Sequence, residues 1–313
     1  MKSNILYVDH GGVTADSYMY KYYGDLLREL REISNLYLFE GPAHDIPQII
    51  NNSEINFNII IFGLGYFTQT SSHAFKKIEG LSQLSIPIVG MLHKPQTMLS
   101  EKLMFCKEND MDILLDYFGN SQAQVAKKSI KSWFTASPKY FHTRPIPIEY
   151  DVGFSGALHG KNKIKGPTQN LRTRVGELLN KSEKYKVFWN SSNTLEYRIH
   201  SMEEYASQMN KCKAWLGTTG PVNDISPRYF EVALSKVLLI CNDMPEVNSP
   251  VFVDGETCMT FKNDMSDFEE KLDFYLKNDQ ERNRVINNAY ELVYNNYTWK
   301  HMASNLLDEI RSL

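Results

Sequence analysis

The sequence predicts an α/β protein made of two doubly wound domains that face one another across a cleft. Three observations carry this expectation. The chain has 313 residues, which suits about two domains. Short apolar runs alternate with helix-like patterns through both halves, the arrangement that builds βαβ units around a parallel sheet. Pro138, Pro145 and Pro147 cluster between Ser137 and Glu149 and separate the two series as a linker would. Domains are therefore expected over 1–143 and 144–297, with 298–313 a C-terminal helix packing back on the first.

In the first half, the apolar run Asn4–Asp9 reads as a strand. Ala15–Ile33 reads as a helix because Tyr22, Leu26, Leu27 and Leu30 share one stripe. Leu36–Phe39, Asn58–Phe62, Pro87–Leu92 and Asp112–Asp116 read as further strands, with helices that include Glu101–Glu108 and Ser121–Lys131. In the second half, strands are expected at Tyr150–Ser155, Lys186–Trp189, Ala214–Gly217 and Val237–Ile240. Helices are expected at Leu171–Asn180, Met202–Asn210, Arg228–Ser235, Asp267–Lys277, Gln280–Tyr294 and Trp299–Ile310.

Composition narrows the class. The chain is 42% hydrophobic and 23% charged, enough for a sizeable core, and its formal net charge is -3 with neither half strongly biased. That balance argues against bulk nucleic-acid binding, which usually needs a basic domain. Cys106, Cys212, Cys241 and Cys258 lie far apart with no CxxC pair, so neither a disulfide framework nor a zinc site is indicated and a reducing compartment fits. No signal peptide and no apolar run of about 20 residues is seen, so a cytoplasmic protein without an integral membrane segment is expected.

Polar groups collect where the predicted strands end. The first strand runs into His10-Gly11-Gly12, and glycines there let backbone amides approach a ligand closely. The full GxGxxG fingerprint is absent, and Gly63-Leu64-Gly65 lacks the third glycine, so a nicotinamide site is weakly supported. Both segments equally suit tight turns. His10 can act as a general base if Asp9 or Asp16 orients it. His93 follows Pro87–Leu92, at the strand end where open sheets bind ligands, and can hydrogen-bond a sugar hydroxyl or a developing charge. A structural histidine is the plain alternative.

Val152–Gly176 carries Lys161, Lys163, Lys165, Arg172 and Arg174 with no acid, interleaved with Gly153, Gly156, Gly160 and Gly166. A strand end, a glycine- and lysine-rich loop and a helix suit a loop closing on a diphosphate, with Arg172 best placed for a forked contact. A solvated lysine loop is the alternative. Thr218-Thr219-Gly220-Pro221 offers two hydroxyls before the next helix, for phosphate or sugar oxygens or simply as a capped turn. Ser226-Pro227-Arg228-Tyr229-Phe230-Glu231 opens a helix whose first amides can face a phosphate. Glu231 can accept hydrogen bonds from neighbouring sugar hydroxyls. Among apolar neighbours its carboxylate needs a partner, and Arg228 at i,i+3 could pair with it locally. A nucleotide sugar carries both a phosphate and a sugar.

Over roughly 150–313 the chain resembles the group 1 glycosyltransferases of the GT-B fold, particularly the spore-maturation-type subgroup. The matching residues are Ser226-Pro227-Arg228-Tyr229-Phe230-Glu231-Val232-Ala233-Leu234, Val237-Leu238-Leu239-Ile240, Phe252-Val253-Asp254-Gly255-Glu256, Phe261, Tyr275-Leu276-Lys277-Asn278, Glu281-Arg282 and Tyr297-Thr298-Trp299. The resemblance implies two Rossmann-like domains. It implies transfer of a hexose or related sugar from a nucleotide donor, with no metal and no cofactor. Glu231 would match the acid that holds the ribose hydroxyls, Arg172 and the Gly156 loop the diphosphate region, and His93 a histidine beside the donor sugar. Arg228, Thr218, Thr219, Asn223 and Ser226 complete the expected donor-binding set, with Gly11 and Gly12 on the acceptor side. Many retaining members carry two acids separated by seven residues. Here the earlier position is Asn223, with Asp224 beside it, so donor sugar and stereochemistry stay open. The acceptor also stays open: glycan, lipid-linked glycan, protein or modified nucleic-acid base. A sugar-nucleotide epimerase of the same fold and a non-enzymatic two-domain ligand-binding protein are the alternatives.

Overall fold

The computed structural model describes residues 2–10, 18–95, 97–117, 125–158, 168, 170–191, 199, 201–220, 224–244, 246 and 250–313, with backbone alone for 18–22. The chain divides into two compact units, Met1–Trp133 with Trp299–Leu313, and Phe134–Thr298.

In the first unit the apolar runs become β1 (Asn4–Val8), β2 (Asn35–Phe39), β3 (Ile59–Phe62), β4 (Ile88–Leu92), β5 (Ile113–Asp116) and β6 (Lys128–Lys131). Their order is β2-β1-β3-β4-β5-β6, and every described pairing is parallel. The inner strands β3, β4 and β5 are buried along their whole length, which is why they read as unbroken apolar runs. Helix α1 (Tyr18–Ile33) buries Tyr23, Leu26, Leu27 and Leu30. It packs with the last helix, α9 (Trp299–Arg311), which buries Trp299, Met302, Leu306 and Ile310. A helix, α2, spans Ile46–Asn52 with proline in its first turn, where a missing amide is harmless. Helix α3 spans Leu99–Glu108.

One expected helix is a strand instead. Of Ser121–Lys131, residues 121–124 lie outside the described residues, and Lys128–Lys131 pairs with β5, setting Ile130 beside Leu115. Lys131 then reaches across its neighbour: its Nζ donates to the Tyr117 carbonyl at 2.9 Å and lies 4.5 Å from the centre of the Trp133 ring. Ladder pairing at the sheet edge overrides the helical propensity of the lysines.

The second unit holds β7 (Tyr150–Gly156), β8 (Val187–Ser191), β9 (Cys212–Leu216), β10 (Leu238–Asn242) and β11 (Met259–Phe261), in the order β11-β10-β9-β7-β8 and again parallel. Helices α4 (Leu171–Lys181), α5 (Met202–Asn210), α6 (Arg228–Leu234), α7 (Phe268–Lys277) and α8 (Asp279–Asn296) accompany it. The three-residue β11 lacks a sequence signal of its own and is fixed by pairing Met259 with Ile240. The proline-bearing segment 137–149 lies inside this unit. Asn210 there accepts from the Arg144 amide at 2.8 Å and donates to the His142 carbonyl at 3.1 Å.

Both sheets share one winding. The first strand of each is followed by a neighbour on one side, and the chain then continues on the other. The order therefore reverses between β1 and β3 and between β7 and β9. Strand C-termini at such reversals are where open sheets leave room for ligands. None of the helices among the described residues is long and apolar enough to cross a membrane.

Gly153 tests the packing beneath the second reversal. A Cβ there would lie 2.3 Å from Trp215 Cε3 and 2.6 Å from Cys212 Sγ, and Trp215 is fully buried. Gly153→Ala is expected to destabilise the protein by about 1–3 kcal/mol, the usual result of overpacking, read from its urea midpoint. An unchanged midpoint would show that Trp215 can step aside.

Candidate functional site

At the β7/β9 reversal two guanidinium groups meet over one aromatic ring. Arg172 enters from the first turn of α4 and Arg228 from the start of α6, with their guanidinium carbons 5.9 and 5.5 Å from the centre of the Phe154 ring. Arg172 Nε donates to Thr218 Oγ1 at 2.7 Å, Nη1 to the Ala157 carbonyl at 2.7 Å, and Nη2 to the Thr218 carbonyl at 3.4 Å. All three acceptors are neutral. Arg228 Nη2 donates to the Ser155 carbonyl at 2.8 Å and Nε to the Tyr205 hydroxyl at 3.1 Å. The strand-end carbonyls of β7 thus hold both cations in place. Burial draws the Arg172 pKa down to about 9, and the second cation at Arg228 adds to this, while Tyr229 and Asp224 pull the other way.

Gly156 makes room for this pair. Its φ is +150°, and a Cβ would stand 2.7 Å from Arg228 Nη2. Any side chain would push the guanidinium off the strand end.

Glu231 lies one helical turn beyond Arg228 and is 3% exposed. Burial pushes its carboxyl up to about 7, against the favourable charge of Arg228 and a hydrogen bond from Tyr205. Tyr205, on α5, lies beside both: its hydroxyl accepts from Arg228 at 3.1 Å and is close enough to Glu231 to favour the ionised carboxylate. The sequence offered no sign of this tyrosine, since it lies 23 residues from Arg228 on another helix.

The hydroxyl loop divides in two. Thr218 serves Arg172. Thr219 turns instead to Asn242 at the end of β10: its amide donates to Asn242 Oδ1 at 2.8 Å, and Asn242 Nδ2 donates to its Oγ1 at 3.0 Å. Asn242 is fully buried and also donates to Asn263 Oδ1 at 2.9 Å. A polar residue closing an apolar strand was the available clue to it. Ser226 Oγ and the Tyr229 hydroxyl are buried without a hydrogen bond among the described residues, both beside the start of α6. Asn223, Pro221, Gly160, Gly166 and the lysines at 161, 163 and 165 lie outside the described residues.

The two histidines belong to the first unit. His93 follows β4, is 8% exposed, and meets the Tyr23 ring edge to face at 5.6 Å. Burial, with Lys94 and Lys102 adding to it, draws its pKa down to about 3, so its ring is neutral at physiological pH. The loop it opens is held by Lys102, a fully buried lysine whose Nζ donates to the His93 carbonyl at 3.0 Å, the Lys94 carbonyl at 2.8 Å and Thr97 Oγ1 at 3.3 Å. His10 is exposed, and its backbone amide, at 2.7 Å, is the group that meets Asp9 Oδ1. Gly11, Gly12 and Asp16 lie outside the described residues. Of the tyrosines on α1, the side chains of Tyr18, Tyr20 and Tyr22 are likewise outside them, and Tyr23 is in the core.

The sequence profile of the glycosyl transferase-like family matches residues 152–308, half of the chain, and the chain belongs to that family of group 1 glycosyltransferases. Comparison with curated proteins finds no match. Among solved structures, HepE from Anabaena, in complex with UDP and glucose, is 10% identical, with 99% of this chain and 100% of that one covered at a TM-score of 0.63. Sucrose-phosphate synthase from Thermosynechococcus elongatus is 10% identical over 99% of each chain, TM-score 0.61. An α1,3-fucosyltransferase solved with GDP-fucose is 11% identical over 99% of this chain and 90% of that one, TM-score 0.53. At such identities the likeness speaks for the fold, which is the two-domain α/β GT-B fold.

The raised Glu231 pKa has a measurable sign. The folded chain holds this proton up to about pH 7, whereas an unfolded glutamic acid releases it near the ordinary value of 4.5. The associated stability is complete below the unfolded value and is lost as pH rises through the folded one. Glu231→Gln should therefore gain on the wild type by roughly 2 kcal/mol between pH 5 and pH 8, measured by urea unfolding at both pH values. A constant difference would show that the carboxyl ionises normally.

Proposed function

We propose that the chain transfers a hexose or related sugar from a nucleoside diphosphate sugar held at the β7/β9 reversal. The observation that carries this reading is the Arg172–Arg228 pair. Arg172 is buried, forms no ion pair among the described residues, and spends its hydrogen bonds on neutral oxygens. A guanidinium fixed in this way, with that of Arg228 beside it on the same strand end, suits an anion with several oxygens, and a diphosphate is such an anion.

The chemistry follows from the charges. As the anomeric C–O bond breaks, its electron pair leaves with the diphosphate. Guanidiniums already aimed by strand-end carbonyls stabilise that charge without reorganising, so positive charge comes from arginine rather than from a metal. Glu231 accepts hydrogen bonds from the ribose hydroxyls, which favour its ionised form. Asp224, near enough to Arg172 to raise its pKa, is the acid closest to the position left by Asn223. The motif over Ser226–Leu234 and Tyr297-Thr298-Trp299 supports placing the chain in the spore-maturation-type subgroup. Its four cysteines are free and buried, which suits a reducing cytoplasm. The first unit is left to choose the acceptor.

A thermal-shift screen of UDP, GDP, ADP and their sugars tests the class and identifies the base together. A ligand at 100 times its Kd stabilises by about 2.7 kcal/mol. Arg172→Met should weaken nucleoside diphosphate binding at least tenfold, about 1.4 kcal/mol, and leave the affinity for the free nucleoside unchanged. Circular dichroism would confirm that the variant is folded. Equal diphosphate affinity in variant and wild type would remove Arg172 from the site.

A further inference from the structure

The aim of the Arg172 guanidinium depends on the loop after β9, and that loop depends on a buried amide at the end of β10. Two of the three acceptors of Arg172 belong to Thr218, through its hydroxyl at 2.7 Å and its carbonyl at 3.4 Å. Whatever sets the Thr218 backbone therefore sets the guanidinium. The next residue, Thr219, is also buried, and its amide and hydroxyl both end on the side chain of Asn242.

The orientation of the Asn242 side chain follows from its partners. A main-chain N–H can only donate, so the atom 2.8 Å from the Thr219 amide is Oδ1. Nδ2 then donates to Thr219 Oγ1 at 3.0 Å, to the Asp243 carbonyl at 2.8 Å and to Asn263 Oδ1 at 2.9 Å. The Asn263 carbonyl accepts in turn from Arg174 Nη2 at 2.8 Å. Arg174 stands two residues beyond Arg172 on α4. The loop after β9 is thus fastened to α4 twice, directly through Arg172 and by a longer route through Asn242, Asn263 and Arg174. A buried amide with both ends engaged holds one geometry, and its removal leaves the Thr219 amide buried without an acceptor.

We propose that Asn242 is a positioning residue for diphosphate binding: it fixes Thr219, hence Thr218, and so holds the Arg172 guanidinium where the anion meets it. The proposal rests on the transferase reading above. Asn242 is itself fully buried, so its effect passes through Arg172 and not through a contact of its own with the ligand. That route separates it from a residue that only stabilises the fold. Loss of Asn242 weakens the hold on phosphate oxygens, spares the nucleoside, and costs nothing further once Arg172 is gone. Leucine at 242 keeps a similar volume and loses every one of these hydrogen bonds.

The test uses the full chain, with calorimetry of UDP, GDP and ADP and saturation-transfer NMR of uridine, guanosine and adenosine. Asn242→Leu should weaken the diphosphate that binds the wild type at least fivefold and change the matching nucleoside less than twofold. In an Arg172→Met background the same substitution should change diphosphate affinity less than twofold. Thermal melts would show that the variants are folded at the temperature of the titration. Asn242→Ser, whose shorter side chain cannot bridge Thr219 and Asn263, carries the same expectations if the leucine variant does not fold. Unchanged diphosphate affinity in the folded variant overturns the proposal. So does an equal loss for the nucleoside, or a fivefold loss that persists in the Arg172→Met background. A wild type that binds none of the three diphosphates overturns the transferase reading itself, and the proposal with it.

Discussion

A parallel sheet covered on both faces satisfies its backbone internally and fills its strands with apolar side chains, so polar chemistry is pushed to the strand ends. This confinement governs both units. The inner strands β3, β4 and β5 are buried along their length, and Asp9 and His93, whose pKa values burial displaces, stand just past the C-termini of β1 and β4. Position along the strand, more than residue type, decides which polar groups can meet a ligand.

The two reversals solve the problem of a buried charge differently. At β7/β9 Arg172 rests on two carbonyl dipoles and a hydroxyl, so its positive charge is oriented with no ion pair among the described residues. A carboxylate partner would have stabilised the apo protein and competed with any anion. Glu231 feels the favourable charge of Arg228, yet burial outweighs it and pushes the carboxyl up to about 7. At β1/β3 a lone carboxyl is left with one oxygen engaged. Both arrangements need a glycine, at Gly156 and at Gly63, where a guanidinium and a tyrosine ring pass against the backbone.

Much of this was legible in the residues. The alternation of apolar runs located the strands from Asn4 to Ile240 to within a residue or two, because a doubly covered strand has no polar face to blur it. The same logic failed at the sheet edges. Lys128–Lys131 carries a single apolar residue, and Met259–Phe261 is too short to have a period, so pairing with β5 and β10 decides both. Arg172, Gly156 and Thr218 could be gathered from sequence because each adjoins the end of β7 or β9. Tyr205 and Lys102 could not, since their importance comes from hydrogen bonds across the fold rather than from neighbours in the chain, and Asn242 was marked only by its polarity at the end of an apolar strand.

Helix α9 has a consequence for the order of events in the cell. It is translated after the whole of the second unit, yet it packs on α1 and buries its apolar face in the first. During synthesis α1 must wait with part of its surface uncovered while Phe134–Thr298 emerges and can already close its own core. The usual N-to-C sequence of domain completion is thereby inverted. Until Trp299–Leu313 arrives, the half-made first unit presents an apolar seam to whatever chaperone the ribosome offers.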